Sequence, residues 1–213
     1  KRWPLVTAWT VAVTAVAALG LALWLRPGSE VAPSSTPAVR LQIERPSVDP
    51  YNNAASAFAV SPDGRLLAYY TPGGNGRATL SIQTLATGER REVPGSAMLS
   101  PAPPFWSPDS RQIVYHGDVV ASVFDVVTAT SRELCVCRFR GGSWNSSGII
   151  LLGSAAADQQ PLRRVSLNDR TPVAVTKVDI SKGELDTWPT FLPDGQRFVF
   201  TRVAGASATT YIG

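Results

Sequence analysis

The residues of this 213-residue chain that could carry out chemistry form no recognisable catalytic pattern. The chain has one histidine, His116, which stands at the end of an apolar run typical of a strand. A histidine without a second histidine or an acidic cluster at ligand spacing predicts neither a metal centre nor a general base. We therefore interpret His116 as a structural residue at a loop edge.

Cys135 and Cys137 form a C-x-C pair. In a regular strand, residues i and i+2 share a face, and their Cα atoms lie roughly 6.5–7 Å apart, at or beyond the usual limit for a disulfide. Two buried thiols are the interpretation that this spacing favours. A strained disulfide is the alternative if the domain lies outside the cytoplasm.

Other short motifs resemble catalytic signatures without meeting their requirements. The segment GGNG (73–76) lacks the spacing of a phosphate-binding loop and joins two predicted strands, so we interpret it as a hairpin turn. The segment GGSWN (141–145) lacks the last glycine of a nucleophile elbow. The chain itself is therefore predicted to contain no catalytic residue, no cofactor site and no metal site. We interpret it as a binding or scaffolding element.

A repeated turn explains the recurring aspartates. In FAVSPDGRLLAYY (58–70), two apolar runs flank a Ser-Pro-Asp-Gly turn, in which proline suits the second position, aspartate the third and glycine the fourth. The pattern returns in PFWSPDSRQIVYH (104–116) and PTFLPDGQRFVFT (189–201), and GSWNSSGIILLG (142–153) is a degraded copy. The predicted turn residues are Pro62, Asp63, Gly64, Pro108, Asp109, Gly148, Pro193, Asp194 and Gly195.

The spacing of these units predicts the fold. The residues before the turns, Val60, Trp106, Trp144 and Phe191, are 46, 38 and 47 positions apart, and each is predicted to be buried between blades. A period in the forties with four short strands per unit is typical of a β-propeller. We expect about three and a half blades, so that the propeller is incomplete and the chain is a piece of a longer protein. The predicted blades span residues 56–94, 102–137, 142–176 and 187–213 (truncated).

The N-terminal region predicts a membrane anchor. Residues 4–25 carry no charge, and as a helix they would be about 33 Å long, enough to cross a hydrocarbon core of about 30 Å. A cleaved signal peptide is the alternative, but no good cleavage site follows. Residues 1–3 would form a cytoplasmic stub, 26–37 a Pro/Ser linker and 38–213 the partial propeller. Alanines at small-xxx-small spacing in the span would allow it to self-associate.

The distribution of charge excludes one class of partner and orients the span. Outside the span and its flanks, the 17 remaining basic residues nearly balance 16 acidic ones, and no basic cluster is longer than a pair. The sequence therefore predicts no binding of nucleic acid. Lys1 and Arg2 precede the span and Arg26 alone follows it, which favours a cytoplasmic N-terminus and an extracytoplasmic propeller in the cell inner membrane.

The order of these features carries a family likeness. A basic start, one span, a Pro/Ser linker and then FAVSPDGRLLAYY, PFWSPDSRQIVYHG, RGGSWNSSGIILLG and WPTFLPDGQRFVF follow one another along the chain. The chain thereby resembles the C-terminal region, a span followed by a TolB-type, WD-like propeller, of bacterial membrane-anchored serine/threonine protein kinases.

The resemblance implies a sensory role and places the enzyme elsewhere. It implies that the propeller binds an unknown protein or small molecule on its face and that a cytoplasmic kinase domain outside this chain uses ATP and magnesium. No kinase motif can be placed on these 213 residues. Similar propellers also occur in membrane-anchored transcriptional regulators, in prolyl-oligopeptidase-like peptidases and as TolB-like scaffolds, which are the alternative interpretations.

Overall fold

The computed structural model describes residues 58–99, 102–117, 119–155 and 158–213. The predicted span and the linker lie outside these ranges. Within the described residues, no helix has the length and apolar character needed to cross a membrane.

The described residues form fifteen strands in four antiparallel sheets, and in every sheet the strands pair in sequence order. The first two sheets contain β1 (Phe58–Val60), β2 (Leu66–Pro72), β3 (Ala78–Thr84) and β4 (Arg90–Glu92), then β5 (Phe105–Trp106), β6 (Gln112–His116), β7 (Ala121–Asp125) and β8 (Thr130–Cys135). The last two contain β9 (Gly142–Trp144), β10 (Ile149–Leu152), β11 (Arg163–Ser166) and β12 (Val173–Ala174), then β13 (Glu184–Phe191), β14 (Phe198–Ala204) and β15 (Ser207–Ile212). The predicted all-β fold of four-stranded antiparallel sheets is confirmed, with three strands described in the fourth sheet.

The first strand of each sheet lies at its inner edge. Strand β5 contacts both β1 and β9, and β13 contacts β9, so the four sheets meet along these strands. We refer to the sheets as blades 1 to 4 in chain order. Two apolar cores fill the space between blades 1 and 2 and between blades 2 and 3.

The Ser-Pro-Asp turns join the first and second strands through the same hydrogen bonds in blades 1 and 2. In blade 1 the Gly64 N–H donates to the Ser61 carbonyl over 2.8 Å, and Gly64 has a left-handed φ of 70°. The Ser61 hydroxyl donates to Asp63 Oδ1 over 2.5 Å and accepts from the Leu66 N–H over 2.9 Å. This bonding lowers the pKa of Asp63, chiefly through the Ser61 hydroxyl.

Blade 2 repeats the arrangement and links it to blade 1. The Ser107 hydroxyl donates to Asp109 Oδ1 over 2.6 Å, and Ser110 takes the left-handed conformation that glycine has in blade 1. The Ser110 hydroxyl accepts a 3.0 Å hydrogen bond from the backbone N–H of Asp63. A serine at this position therefore joins two turns, which a glycine could not do.

Blade 3 forms its turn with a single asparagine. Asn145 Oδ1 accepts hydrogen bonds from the N–H groups of Ser147 (3.1 Å) and Ile149 (2.9 Å), so one side chain does the work of the serine–aspartate pair. Its Nδ2 donates to the Gly195 carbonyl of blade 4 over 2.7 Å. The degraded copy of the motif is thus a complete turn that also contacts the next blade.

The residues before the turns are not equally buried. Trp106 is 7% exposed in the core between blades 1 and 2, and its Nε1 donates to the Ala59 carbonyl of blade 1 over 2.9 Å. Trp144 and Phe191 are half-buried: Trp144 packs against the core between blades 2 and 3, and Phe191 lies edge-on to Phe198 within blade 4.

The prediction that Val60 is buried in the core is wrong, because its side chain is 50% exposed. Val60 pairs with Leu67 just as Trp106 pairs with Ile113, so both precede their turns on the same face of the sheet. In blade 2 that face packs against the preceding blade. Blade 1 is the first described sheet, so no described blade precedes it.

The preference for free thiols is also wrong, since Cys135 and Cys137 are joined in a disulfide. The spacing argument assumed a regular strand, but β8 ends at Cys135 and the Cys137 N–H turns back to donate to the Cys135 carbonyl over 3.0 Å. The turn brings the two Cα atoms to 5.3 Å, well within disulfide range. Both cysteines are 5% exposed and belong to the core between blades 2 and 3.

A substitution at Trp106 tests the contact between blades 1 and 2. Trp106→Phe removes the indole N–H, leaves the Ala59 carbonyl without this donor and opens a small void, so we expect a loss of about 1–3 kcal/mol in the free energy of unfolding. Trp144→Phe is the matched control, because Trp144 is only half-buried. Urea denaturation followed by far-ultraviolet circular dichroism measures both. A Trp106→Phe variant no less stable than the control would contradict the assignment.

Candidate ligand-binding site

A small hollow of about 120 Å³ lies where the inner strands of blades 2, 3 and 4 approach one another. Its lining is mainly proline, glycine and aromatic residues. These are Pro103, Pro104, Phe105, Gly141, Gly142, Trp188, Pro189 and Thr190. The lining exposes polar and apolar atoms in similar amounts, and the volume is well below the roughly 300–1,000 Å³ of a typical small-molecule site, so the hollow has room for about one side chain.

Trp188 forms the exposed wall of this hollow. It sits at a β-bulge where the register of β13 against β14 shifts, and it has a left-handed φ of 54°. The side chain is 43% exposed, which is high for a tryptophan. The Arg140 guanidinium lies over the indole, with its Cζ atom 5.7 Å from the ring centroid. A cation and an aromatic face are therefore presented together at the rim.

The backbone of Arg140 holds the bulge in place. Its carbonyl accepts a 2.8 Å hydrogen bond from the Thr187 hydroxyl and a 3.3 Å hydrogen bond from the Trp188 N–H. Its N–H donates to the Gly153 carbonyl over 3.0 Å. One residue of the connection between blades 2 and 3 therefore fixes both the exit of β10 and the bulge of β13.

Three glycines of blade 3 allow these close approaches. A Cβ atom on Gly142 would overlap the Phe105 ring, and one on Gly141 would lie 2.7 Å from the Trp188 ring. A Cβ on Gly153 would lie 2.5 Å from the Arg140 carbonyl and 2.9 Å from the Trp188 N. Gly141, Gly142 and Gly153 of the degraded repeat thus allow blades 2 and 4 to pack closely against blade 3.

The connection between blades 2 and 3 alternates between buried and exposed residues. Cys137, Phe139 and Gly141 are buried, whereas Arg138 and Arg140 are exposed. The Phe139 ring lies edge-on to two aromatic rings of blade 2, with centroids 5.7 Å from Phe105 and 5.4 Å from His116. His116 is thus 7% exposed at the end of β6 and has a packing role.

A buried ion pair anchors β13 beside the hollow. Asp186 is fully buried and accepts two hydrogen bonds from Arg202, at 2.7 Å from Nε and 2.9 Å from Nη2. It also accepts from the Thr176 hydroxyl of the segment after β12 over 2.6 Å, which connects blade 3 to blade 4. The hydrogen bond to Asp186 is the main cause that raises the pKa of Arg202.

A second hollow of about 260 Å³ lies against the outer strands of blade 3. Its lining includes Ile149, Arg164 and Asp169 but no aromatic residue. Unlike the hollow at Trp188, it has no aromatic side chain on which a ligand could pack. No group of three or more histidine, cysteine, aspartate or glutamate side chains within the described ranges could hold a metal ion.

Comparison with known proteins identifies the architecture. No family profile and no curated protein matches the chain. Among solved structures, a protein assigned as TolB in Agrobacterium tumefaciens matches with a TM-score of 0.61 and 19% identity over 73% of this chain. TolB from Acinetobacter baumannii matches with a TM-score of 0.56 and 16% identity over 73% of this chain. The propeller domain of the Trilobed protease from Pyrococcus furiosus matches with a TM-score of 0.53 and 16% identity over 74% of this chain. The fold is a TolB-like β-propeller. At these identities the likeness shows the fold alone.

The chain spans only part of these propeller proteins. It covers 60% of the Agrobacterium protein, 40% of the Acinetobacter protein and 54% of the Pyrococcus domain.

The predicted turn residues do not lie in the hollow of the propeller. They follow the ends of the inner strands, whereas the hollow is formed by the starts of β5 and β9 and the bulge of β13. Asp194, for example, accepts from the Arg197 side chain in an exposed ion pair, which lowers the pKa of Asp194 to about 2. Sequence reasoning missed Trp188 and Arg140. A tryptophan next to a proline was the only local signal, and the bulge that exposes it leaves no mark in the hydrophobic pattern.

Gly142→Ala tests the close packing of blades 2 and 3. Gly142 does not have a left-handed backbone, so the substitution adds only a Cβ that must displace the Phe105 ring. We expect a loss of about 1–3 kcal/mol in the free energy of unfolding. Gly117→Ala is the matched control, since its nearest neighbour would be the Val120 carbonyl at 3.3 Å, and we expect it within about 1 kcal/mol of the wild type. Equal denaturation midpoints for the two variants would refute the packing argument.

Asp186→Asn tests the anchor of β13. The change leaves the Arg202 guanidinium without its buried carboxylate, so we expect a loss of about 3–5 kcal/mol in the free energy of unfolding. Glu184→Gln removes the other carboxylate near Arg202, which lies 3.7 Å away, and should cost clearly less. Thermal unfolding measures the stability of both variants. If Glu184→Gln destabilises the protein more than Asp186→Asn, Glu184 and not Asp186 anchors β13.

Proposed function

We propose that this propeller is the extracytoplasmic binding part of a receptor-like, membrane-anchored bacterial serine/threonine protein kinase. It would bind a protein or small molecule on the face that carries Trp188 and pass the signal through residues 4–25 to a cytoplasmic kinase domain. The single observation that supports a binding role best is the hollow in which Trp188 is 43% exposed beside Arg140.

The binding role agrees with the construction of the site. The bulge, the three glycines and the Asp186–Arg202 pair hold an exposed aromatic ring in a defined position, and rigid presentation of an aromatic group favours recognition. Neither ATP nor magnesium would bind this part of the protein, because the resemblance assigns both to the kinase domain.

The kinase assignment rests on the sequence resemblance and on the uncharged segment at 4–25. A single helix transmits association or rotation, and the alanine spacing of this segment would permit self-association in the membrane.

A second candidate function is the propeller of a prolyl-oligopeptidase-like peptidase. The likeness to a solved prolyl endopeptidase structure, with a TM-score of 0.52 and 16% identity over 73% of this chain, favours it. The two candidates differ in the domain attached, since a kinase domain would precede Lys1 and a hydrolase domain with a GxSxG motif would follow Gly213. A DNA-binding domain before Lys1 would instead indicate a transcriptional regulator. The gene sequence on both sides of the segment separates the three.

The topology gives a direct test of the sensor proposal. With two positive charges before residues 4–25 and one after them, we expect the propeller outside the cytoplasm. Alkaline phosphatase fused after Gly213 should be active, and a green fluorescent protein that folds only in the cytoplasm should stay dark at the same position. The opposite result would make the propeller an internal scaffold and end the sensor proposal.

A further inference from the structure

The exposed residues between blades 2 and 3 form a row that ends at the hollow. Val136 is 74% exposed, Arg138 and Arg140 follow at alternate positions, and Arg140 lies over Trp188. We call Val136, Arg138, Arg140 and Trp188 the arginine row. We propose that the arginine row binds an extended acidic segment of a partner protein, with acidic side chains on the two arginines and an apolar side chain in the hollow. This inference rests on the proposed binding function and specifies its partner.

The row is held rigidly from below. The residues between its members are buried: Cys137 is tied to Cys135, Phe139 packs on two aromatic rings and Gly141 leaves no space beside Trp188. The side chains of Arg138 and Arg140 therefore point outward from an ordered backbone. Little backbone entropy is lost when a partner binds such a surface.

The charge of the row is not neutralised by the described part of the chain. Arg197 and Arg202 of blade 4 pair with carboxylates at 2.6 and 2.7 Å, but Arg138 and Arg140 form no ion pair with any described acidic residue. A third arginine, Arg163, supports the backbone of the row, since its Nη2 donates to the Arg138 carbonyl over 2.6 Å, and the charge of Arg163 is offset in part by Asp158. Burial lowers the pKa of Arg163, and the Asp158 carboxylate opposes that shift.

Arg138 and Arg140 are alternate exposed residues with buried Phe139 between them, and this alternation favours a peptide in extended conformation. Alternate residues of an extended chain are roughly 6.5–7 Å apart and share a face. Acidic residues at alternate positions of a partner strand would therefore match Arg138 and Arg140. The next position on that face would meet Trp188 and the prolines of the hollow, whose volume of about 120 Å³ suits one side chain such as proline or valine. A single narrow row gives a membrane surface much less to bind.

Fluorescence anisotropy with the full chain in detergent micelles tests the proposal. The probe is a fluorescein-labelled peptide with glutamate at two alternate positions followed by proline and valine, and the control peptide has glutamine in place of both glutamates. We expect the glutamate peptide to bind at least about tenfold more tightly, because each arginine would form a charge-assisted hydrogen bond with it. The difference should shrink as salt is raised.

Variants assign the binding to the row. The double variant Arg138→Gln/Arg140→Gln should weaken binding at least about tenfold and abolish the preference for the glutamate peptide. Arg170→Gln is the matched control, because Arg170 is also an exposed arginine and lies away from the row, in the turn between β11 and β12. Trp188→Ala should weaken both peptides to a similar extent, since it removes the apolar contact and keeps the arginines. Circular dichroism checks that each variant keeps the fold.

Three results would overturn the proposal. These are equal binding of the two peptides, unchanged binding by the double variant, and binding of phosphatidylglycerol vesicles in place of the peptide. None of them bears on the topology, so failure here is distinct from failure of the sensor proposal, which the reporter fusions decide.

Discussion

Hydrogen bonds between nearly equivalent positions of blades 1 and 2, and of blades 3 and 4, are the constraint on which the rest of the propeller depends. The Trp106 indole donates a hydrogen bond to the Ala59 carbonyl, and the Asp63 N–H donates one to the Ser110 hydroxyl. Each bond joins residues 47 positions apart. Thr187 reaches Arg140 across the same separation, and two further bonds between blades 3 and 4 span 48 and 50 residues. Each separation is close to one repeat. A residue that stabilises its own blade therefore also sets the position of the next.

The hollow at Trp188 is a product of this constraint. The Arg140 carbonyl accepts two hydrogen bonds from blade 4, which hold blade 4 against blade 3, and the same residue presents its side chain to solvent. The glycines give the space for this approach, and the Asp186–Arg202 pair fixes the strand from the other side. The site is thus positioned by contacts between blades, which a single isolated blade would lack.

The parts of the fold that depend on local chemistry could be predicted from the sequence. The proline, aspartate and glycine residues of the Ser-Pro-Asp type turns act within a few residues, and these turns are therefore visible in the pattern. The exposure of Val60, the disulfide and the bulge at Trp188 could not be predicted. The exposure of Val60 depends on which blade precedes blade 1. The disulfide depends on the turn that follows the end of β8 at Cys135. The bulge at Trp188 depends on a register shift against β14, about ten residues further along the chain.

The separation of about one repeat also has a consequence for the order of folding. Strands within a blade are joined by short turns, whereas a hydrogen bond such as that from Trp106 to Ala59 closes a loop of 47 residues. Closing such a loop costs about 2 kcal/mol more in chain entropy than closing a five-residue turn. Hairpins within a blade should therefore form early, and the packing of one blade against the next should come later. Because each blade docks only on its neighbours, assembly can begin at any pair and spread along the chain in either direction.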